Sequence, residues 1–233
     1  MELVIDIETV SGEKYFGQLS AAMQAHWQHK ASLLKTGAET ADPAISYRDK
    51  AAIYAEFGKV ICIGIGFVDR EEQQVRIKTL ADREERELLA GFFELIKRLE
   101  KENKGDIVFC GHNIKEFDLP YICRRALVCG LKLPKSLALS GLKPWQVPHI
   151  DTLELWKFGD YKHYTSLDLM AQVLGIPSSK ADMDGSQVSE VYWENDDLER
   201  IATYCSRDIF TTALVYLRLN AHPVAGFEPV FVD

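Results

Sequence analysis

The chain opens MELVIDIETV (residues 1–10), an apolar strand that carries two acids two positions apart. In an extended strand positions i and i+2 share a face. Asp6 and Glu8 therefore point one way, and Leu3, Ile5 and Ile7 point the other. Like charges at that spacing repel, and each raises the other's pKa unless a cation sits between them. A strand running out into solvent, with Glu8 or Thr9 opening a turn, satisfies the same letters. Sequence farther along decides between the two.

Composition bounds the answer. The 233 residues are enough to bury a sizeable core, and a hydrophobic fraction of 47% with 27% charged residues is ordinary for a globular protein. No apolar run approaches the ~20 residues that span a bilayer, and the N-terminus lacks the basic and apolar regions of a secretory signal. A cytoplasmic protein without a membrane partner is the expectation. Cys62, Cys110, Cys123, Cys129 and Cys205 are scattered, with no CxxC pair, which points to buried reduced thiols rather than disulfides or structural zinc. A net charge of −8, with no basic block longer than Lys97-Arg98 or Arg124-Arg125, excludes tight electrostatic gripping of duplex nucleic acid. Any nucleic acid is held locally, with metal ions supplying part of the positive charge.

Working outward from the first strand, Leu19, Met23, Trp27 and Leu34 fall near helical spacing, and 43–57 reads as a second helix with Pro43 at its start and Gly58 closing it. Residues 59–69 and 73–80 read as strands around the turn DREE, and 81–105 as a long amphipathic helix. A strand at 106–113, a helix at 118–131, a strand at 149–155 and helices at 165–176 and 194–219 follow, with a loop-like tail. This order predicts an α/β fold, a mixed central sheet flanked by helices. It suits one domain over 1–233, with a helical insertion at about 11–57 between the first two strands.

Open α/β sheets build their sites at strand ends, and two acids there stand out. Asp118, in GHNIKEFDLP, follows a buried strand and precedes a helix, where it would also serve as an ordinary cap. Asp208 shares a helical stripe with Ile201, Tyr204, Cys205, Thr212, Val215 and Leu219, so it interrupts a face meant for the core. A carboxylate there costs several kcal/mol unless it is paired or bound to metal; an arginine partner is the bland alternative. Asp6, Glu8, Asp118 and Asp208 brought together would repel strongly without cations. Two divalent ions with hard oxygen ligands, Mg²⁺ or Mn²⁺, suit such a cluster and the displacement chemistry of phosphoryl groups.

The order Asp6-x-Glu8, Asn113-x-x-x-Phe117-Asp118 and Tyr204-x-x-x-Asp208 resembles the DEDD superfamily of 3′–5′ exonucleases, whose fold is ribonuclease H-like. The histidine variant needs His at position 203, which is Thr203, whereas Tyr204 fits the tyrosine branch. The wording AAIYAEFGKVICIGIGF, HIDTLELW and DGSQV is similar to stand-alone bacterial exonucleases related to the proofreading domain of family B DNA polymerases. One departure is the long separation between the first two strands. The resemblance implies that Asp6, Glu8, Asp118 and Asp208 hold two metals and that Tyr204 orients the attacking water. It also implies that Thr9, Asn113 and Phe117 meet the terminal nucleotide, although a core role suits Phe117 equally. The implied substrate is the 3′ end of single-stranded nucleic acid, DNA favoured over RNA, with a polymerase or repair partner in trans.

Asp151 and the Asp184-Gly185-Ser186 turn are further candidates, each also readable as plain local structure; His112 reads as structural. Trp27, Trp145, Tyr161 and Tyr164 are the aromatic residues suited to stacking on bases. DIETV also nearly fits the D-x-D motif of haloacid dehalogenase-type phosphatases, but Glu8 stands where the second Asp acts and no later Lys and acidic pair follows. A binding module for nucleic-acid ends, without catalysis, is the remaining rival. Nothing in the sequence sets an oligomeric state.

Overall fold

The computed structural model describes residues 1–34, 42–103, 106–160, 164–178 and 183–232. In chain order these form β1 (Glu2–Ser11), α1 (Ala21–Leu33), α2 (Pro43–Lys50), β2 (Gly58–Asp69), β3 (Gln74–Ala81), α3 (Glu85–Glu102), β4 (Val108–Gly111), α4 (Asp118–Val128), β5 (Ile150–Asp151), α5 (Thr152–Lys157), α6 (Leu167–Val173), α7 (Val188–Trp193), α8 (Leu198–Leu219) and β6 (Glu228–Phe231). The strands make one mixed sheet in the order β5-β4-β1-β2-β3-β6. β2 runs antiparallel to both β1 and β3, while β4 joins β1, β5 joins β4 and β6 joins β3 in parallel. This is the α/β architecture expected from the sequence.

Alternation along β1 sorts the two sides of the sheet. Leu3, Ile5 and Ile7 pack with Ile63 and Ile65 of β2 against Leu89, Phe92, Phe93 and Ile96 of α3 and Leu119 and Ile122 of α4. The other face carries Val4 and Val10 at its ends, packed with Ile209 and Ala213 or with Ile201, Tyr204 and Cys205 of α8. Asp6 and Glu8 occupy the two positions between those valines. Burying a Val-sized side chain contributes roughly 1.5–3 kcal/mol, so two acids in the middle of a buried face are a local loss that something else must offset.

The α8 helix can lie close to this face because β2 presents glycine there. Gly64 pairs with Asp6 across the ladder. A Cβ on Gly64 would sit 2.6 Å from Ile209 Cγ1 and 2.8 Å from Cys205 Sγ, and one on Gly66 would sit 2.5 Å from Ile209 Cγ2. The insertion between β1 and β2 has its own small core of Trp27, Ala31, Tyr47, Ala51 and Phe57. It is tied back to β1 where Gly12 N donates to Phe57 O at 2.7 Å and Thr9 Oγ1 donates to Ala52 O at 2.9 Å.

Several local expectations change. The helix read over 43–57 ends at Lys50 and continues only as a short 3-10 turn over Ala51–Ile53; Gly58 is the first residue of β2 rather than a helix stop. HIDTLEL is a strand for Ile150–Asp151 alone, because the Asp151 carboxylate accepts from Leu153 N at 2.9 Å and starts α5. The tail is not a loop: Glu228–Phe231 pairs with β3 in parallel. Tyr161 lies outside the described residues. No helix among the described residues is long and apolar enough to cross a membrane.

Candidate active site

β1 outruns its parallel neighbour. The ladder with β4 covers Glu2, Leu3 and Val4 only, which leaves Ile7 N–H on that edge without a strand partner. Asp118 takes the place of the missing strand, its Oδ1 accepting from Ile7 N at 3.0 Å. The acid is the first residue of α4 and only 4% exposed. The Ile7 N–H, its own backbone N–H and the helix N-terminus favour its ionised form. Burial outweighs them, with help from the nearby Asp151 and Asp208 charges, and pushes its pKa up to about 7. Asp118 is thus more than the helix cap its position allowed: it stitches α4 to the strand that carries the other acids.

The preceding turn is shaped by Asp151. Its carboxylate accepts from Asn113 N at 2.9 Å and Lys115 N at 3.1 Å, while also capping α5. Asn113 adopts a left-handed φ of 65°, which Asn tolerates better than most residues. Its side-chain amide makes no hydrogen bond among the described residues. Phe117 is half-buried, tilted against Tyr121 at 5.3 Å and packed on the α3/α4 core, so its ring has both a structural partner and a partly open side. His112 is structural, bridging Thr152 Oγ1 at 2.9 Å and Thr165 O at 2.8 Å.

On the opposite side α8 contributes Tyr204, Cys205 and Asp208. Asp208 is 7% exposed and within hydrogen-bonding reach of the Tyr204 hydroxyl one turn earlier. Burial first, then the charges of Asp208, Glu8 and Asp6, hold the Tyr204 phenol well above its ordinary pKa, so it is a neutral O–H at any physiological pH. The Asp184-Gly185-Ser186 turn closes over this tyrosine, with a Cβ on Gly185 falling 3.8 Å from its hydroxyl. Asp184 caps that turn by accepting from Ser186 N at 2.8 Å.

Asp6 and Glu8 lie between these walls. Burial raises both pKa values well above the carboxylate range; Asp208 and Asp118 add to the effect at Asp6, and Asp6 and Asp208 add to it at Glu8. Among the described residues no lysine or arginine is a leading influence on Asp6, Glu8 or Asp118. The four acids named from the sequence therefore feel one another electrostatically. The Glu8 carboxylate, 7% exposed, accepts no hydrogen bond from any described residue. Buried oxygen donors with mutual repulsion fit hard divalent cations. Asp6, Glu8 and Cys205 place ligand atoms within 4.8 Å of one another.

Some candidates fall elsewhere. Thr9 Oγ1 is engaged with Ala52 O, at a register shift between Glu8 and Thr9, and is placed beside the acids rather than free. Trp27 is fully buried, its Nε1 donating to Pro43 O at 3.0 Å, and cannot stack on a base. Trp145 is 77% exposed with Lys143 against its ring. Tyr164 stands edge-on to His112 at 6.2 Å, and after burial the charges of Asp118, Asp151 and Asp6 raise its pKa, which places it at the rim of the acids. A groove of about 490 Å³ between α4 and the 133–147 segment is lined by residues such as Leu119, Arg124, Leu133 and Leu142, and none of the four acids lines it. The contact of Cys205 with Asp6 has no local signal in the sequence beyond the stripe that Cys205 shares with Asp208.

Comparison with known proteins gives a family match. The model of a family described as "predicted 3′–5′ exonuclease related to the exonuclease domain of PolB" matches residues 53–225, which include Asp118, Tyr204 and Asp208 but begin after β1. DNA polymerase 1 of Pyrococcus abyssi is 27% identical over 172 residues, which cover 67% of this chain and 22% of the polymerase. DNA polymerase 2 of Aeropyrum pernix is 26% identical over 159 residues, covering 64% and 19%. The chain thus spans about a fifth of the length of these curated relatives. The solved family B DNA polymerase of Pyrobaculum calidifontis superposes with a TM-score of 0.56 at 16% identity, over 93% of this chain and 24% of that one. That likeness bears on the fold, which is of the ribonuclease H-like kind.

Proposed function

We propose, on the premise that this chain belongs to the family of predicted 3′–5′ exonucleases related to the exonuclease domain of PolB, that it removes nucleotides from the 3′ end of single-stranded DNA. Asp6, Glu8, Asp118 and Asp208 would hold two divalent ions, Mg²⁺ or Mn²⁺. Bound there, the ions supply the positive charge that activates water and stabilises the oxygens of an in-line phosphodiester displacement. The single observation that carries this reading is the convergence of acids from β1, α4 and α8, each raising the pKa of another, at Asp6, Glu8 and Asp118.

The chain's own groups have distinct tasks in this scheme. Tyr204, a neutral phenol that donates to Asp208, accepts a hydrogen bond from the attacking water and so orients it. Asn113, with its side-chain amide unengaged among the described residues, and Phe117, with one partly open side, meet the terminal nucleotide. Thr9, next to Glu8 on β1, offers its backbone. Gly185 lets the 184–186 turn approach a phosphate beside Tyr204, and Tyr164 and Trp145 are the exposed aromatic surfaces for a departing strand. Residues 1–233 act as one exonuclease domain in this reading, with 11–57 as an insertion, serving a polymerase or repair partner in trans. DNA is preferred to RNA because the curated relatives are DNA polymerases.

The test uses matched 5′-labelled single-stranded DNA and RNA oligonucleotides with Mg²⁺, with Mn²⁺ and with EDTA. A ladder shortening from the 3′ end, present with metal and absent with EDTA, is the expected result, with DNA degraded faster. Faster loss of RNA would reassign the substrate to exoribonuclease chemistry. No shortening of either strand by folded protein would leave a nucleic-acid end-binding module.

A further inference from the structure

Hydrolysis needs only oxygen donors, yet the site contains sulfur. The Cys205 thiol is fully buried and lies 3.6 Å from Asp6 Oδ2 and 3.8 Å from the Asp6 carbonyl oxygen. Cys62, directly across the ladder from Glu8, is within hydrogen-bonding reach of it. Ligand atoms of Asp6, Glu8 and Cys205 all fall within 4.8 Å of one another. An ion bound tetrahedrally at ~2.0 Å from oxygen and ~2.3 Å from sulfur holds those two atoms about 3.5 Å apart. Asp6 Oδ2 and Cys205 Sγ, at 3.6 Å, already have that spacing. The Glu8 carboxylate, 7% exposed and without a hydrogen bond from any described residue, supplies the third donor.

We propose that Asp6, Glu8 and Cys205 form a second, sulfur-containing binding mode of this site, selective for a thiophilic divalent ion such as Zn²⁺, and that this occupant inhibits the enzyme. Two effects favour such an ion over Mg²⁺ or Mn²⁺. A thiolate is a soft ligand, and zinc stands above manganese in intrinsic affinity for N, O and S sites. On binding, the sulfur–metal bond forms as the S–H proton of Cys205 passes to solvent, so each ion bound at this mode releases one thiol proton. Tetrahedral closure draws Asp6 and Glu8 toward α8 and away from the octahedral, water-rich arrangement that a hard cation requires. The binding half of this inference stands by itself; the inhibitory half rests on the exonuclease reading.

Cobalt(II) is the probe for binding, because a thiolate ligand gives it a sulfur-to-metal charge-transfer band that oxygen ligands do not. Wild-type protein should develop this band, saturating at one Co²⁺ per chain and removed by Zn²⁺. Cys205→Ser should lose it while the other four thiols remain. Asp6→Asn should weaken Co²⁺ binding by about tenfold or more with every thiol intact. No band in the wild type, a band that survives Cys205→Ser, or one that Asp6→Asn leaves at full affinity would each overturn the site. If Cys205→Ser does not fold, the Asp6→Asn titration decides alone. In excess Mg²⁺, zinc equimolar with protein should slow wild-type cleavage by about tenfold or more, and Cys205→Ser far less, each relative to its own zinc-free rate. Equal slowing in both would remove the inhibitory claim. A sulfur–cobalt band in a protein that cleaves nothing with any metal would sink the exonuclease reading and leave the binding site standing.

Discussion

Each carboxylate of the cluster is an unfavourable choice for its position in the absence of cations, and that makes single substitutions informative. Asp6 and Glu8 stand where Val4 and Val10 set the pattern of the buried face, and Asp208 lies on the core stripe of α8. Asp6→Ala and Asp208→Ala should each abolish cleavage. Asp6→Ala should not lower the unfolding temperature of metal-free protein, because it removes a charge from a set that repels itself. Activity and thermal unfolding in EDTA check both halves, and wild-type-like cleavage by either variant would undo the assignment. In the proposed reaction Tyr204 acts through one hydrogen bond, so Tyr204→Phe should reduce kcat by roughly 10²-fold, less than loss of a proposed metal ligand. A loss as complete as that of Asp208→Ala would mean the phenol does more than orient water.

At the level of elements, the site depends on how closely α8 approaches β2 and how α4 is held. Gly64 and Gly66 leave no side chain under Ile209 and Cys205, and this brings Asp208 into range of Asp6. Gly64→Ala should destabilise the fold by about 1–3 kcal/mol through overpacking. It should also weaken Mn²⁺ binding, which isothermal titration would read; unchanged binding would mean α8 has slack. On the other face Arg125 of α4 makes close contacts to both oxygens of Glu85, the first residue of α3, and donates to Ala55 O at 2.9 Å. Glu85 also accepts from Val60 N at 2.8 Å, beside the register shift at Thr9. Arg125→Met leaves Glu85 buried without its partner. It should cost roughly 3–5 kcal/mol in urea unfolding, whereas the Glu85→Leu, Arg125→Met double variant should cost less than the single one.

For the whole molecule the acids predict an inverted pH dependence. Asp6, Glu8 and Asp118 have folded pKa values above their unfolded ones, Asp118 at about 7. Between those values the folded state binds more protons than the unfolded state, so stability falls as pH rises from the unfolded toward the folded pKa and levels off above it. His112 and His149 act in the opposite direction. Burial lowers their pKa values, so they cost stability only below the unfolded histidine value of about 6.5. Above that value the carboxylates dominate. In EDTA the unfolding free energy should decline from pH 6.5 to pH 8, by about 1 kcal/mol for Asp118, the rest of whose loss falls below pH 6.5, and Mg²⁺ should cancel most of the decline. A metal-free protein that grows more stable over that interval would contradict the carboxylate cluster.

What the sequence by itself determined is whatever local periodicity encodes. The period-two pattern of MELVIDIETV put Asp6 and Glu8 on one face, and the 3.6-residue stripe of 198–219 put Tyr204 and Asp208 on another, so most of the site and the α/β class were legible before any contact was known. Only the tertiary structure decided what those faces meet. β6 shows no buried alternation and finds its place only because the edge of β3 is open to it. HIDTLEL alternates like a strand, but the Asp151 carboxylate turns it into a helix and at the same time fixes the Asn113 turn. Trp27, an apparent stacking platform, is enclosed by the insertion's own core. The contact between Cys205 and Asp6 joins residues 199 positions apart, and it exists because a glycine pair lets one helix settle onto one sheet face. Such distances are set by packing among elements, which no run of neighbouring residues records.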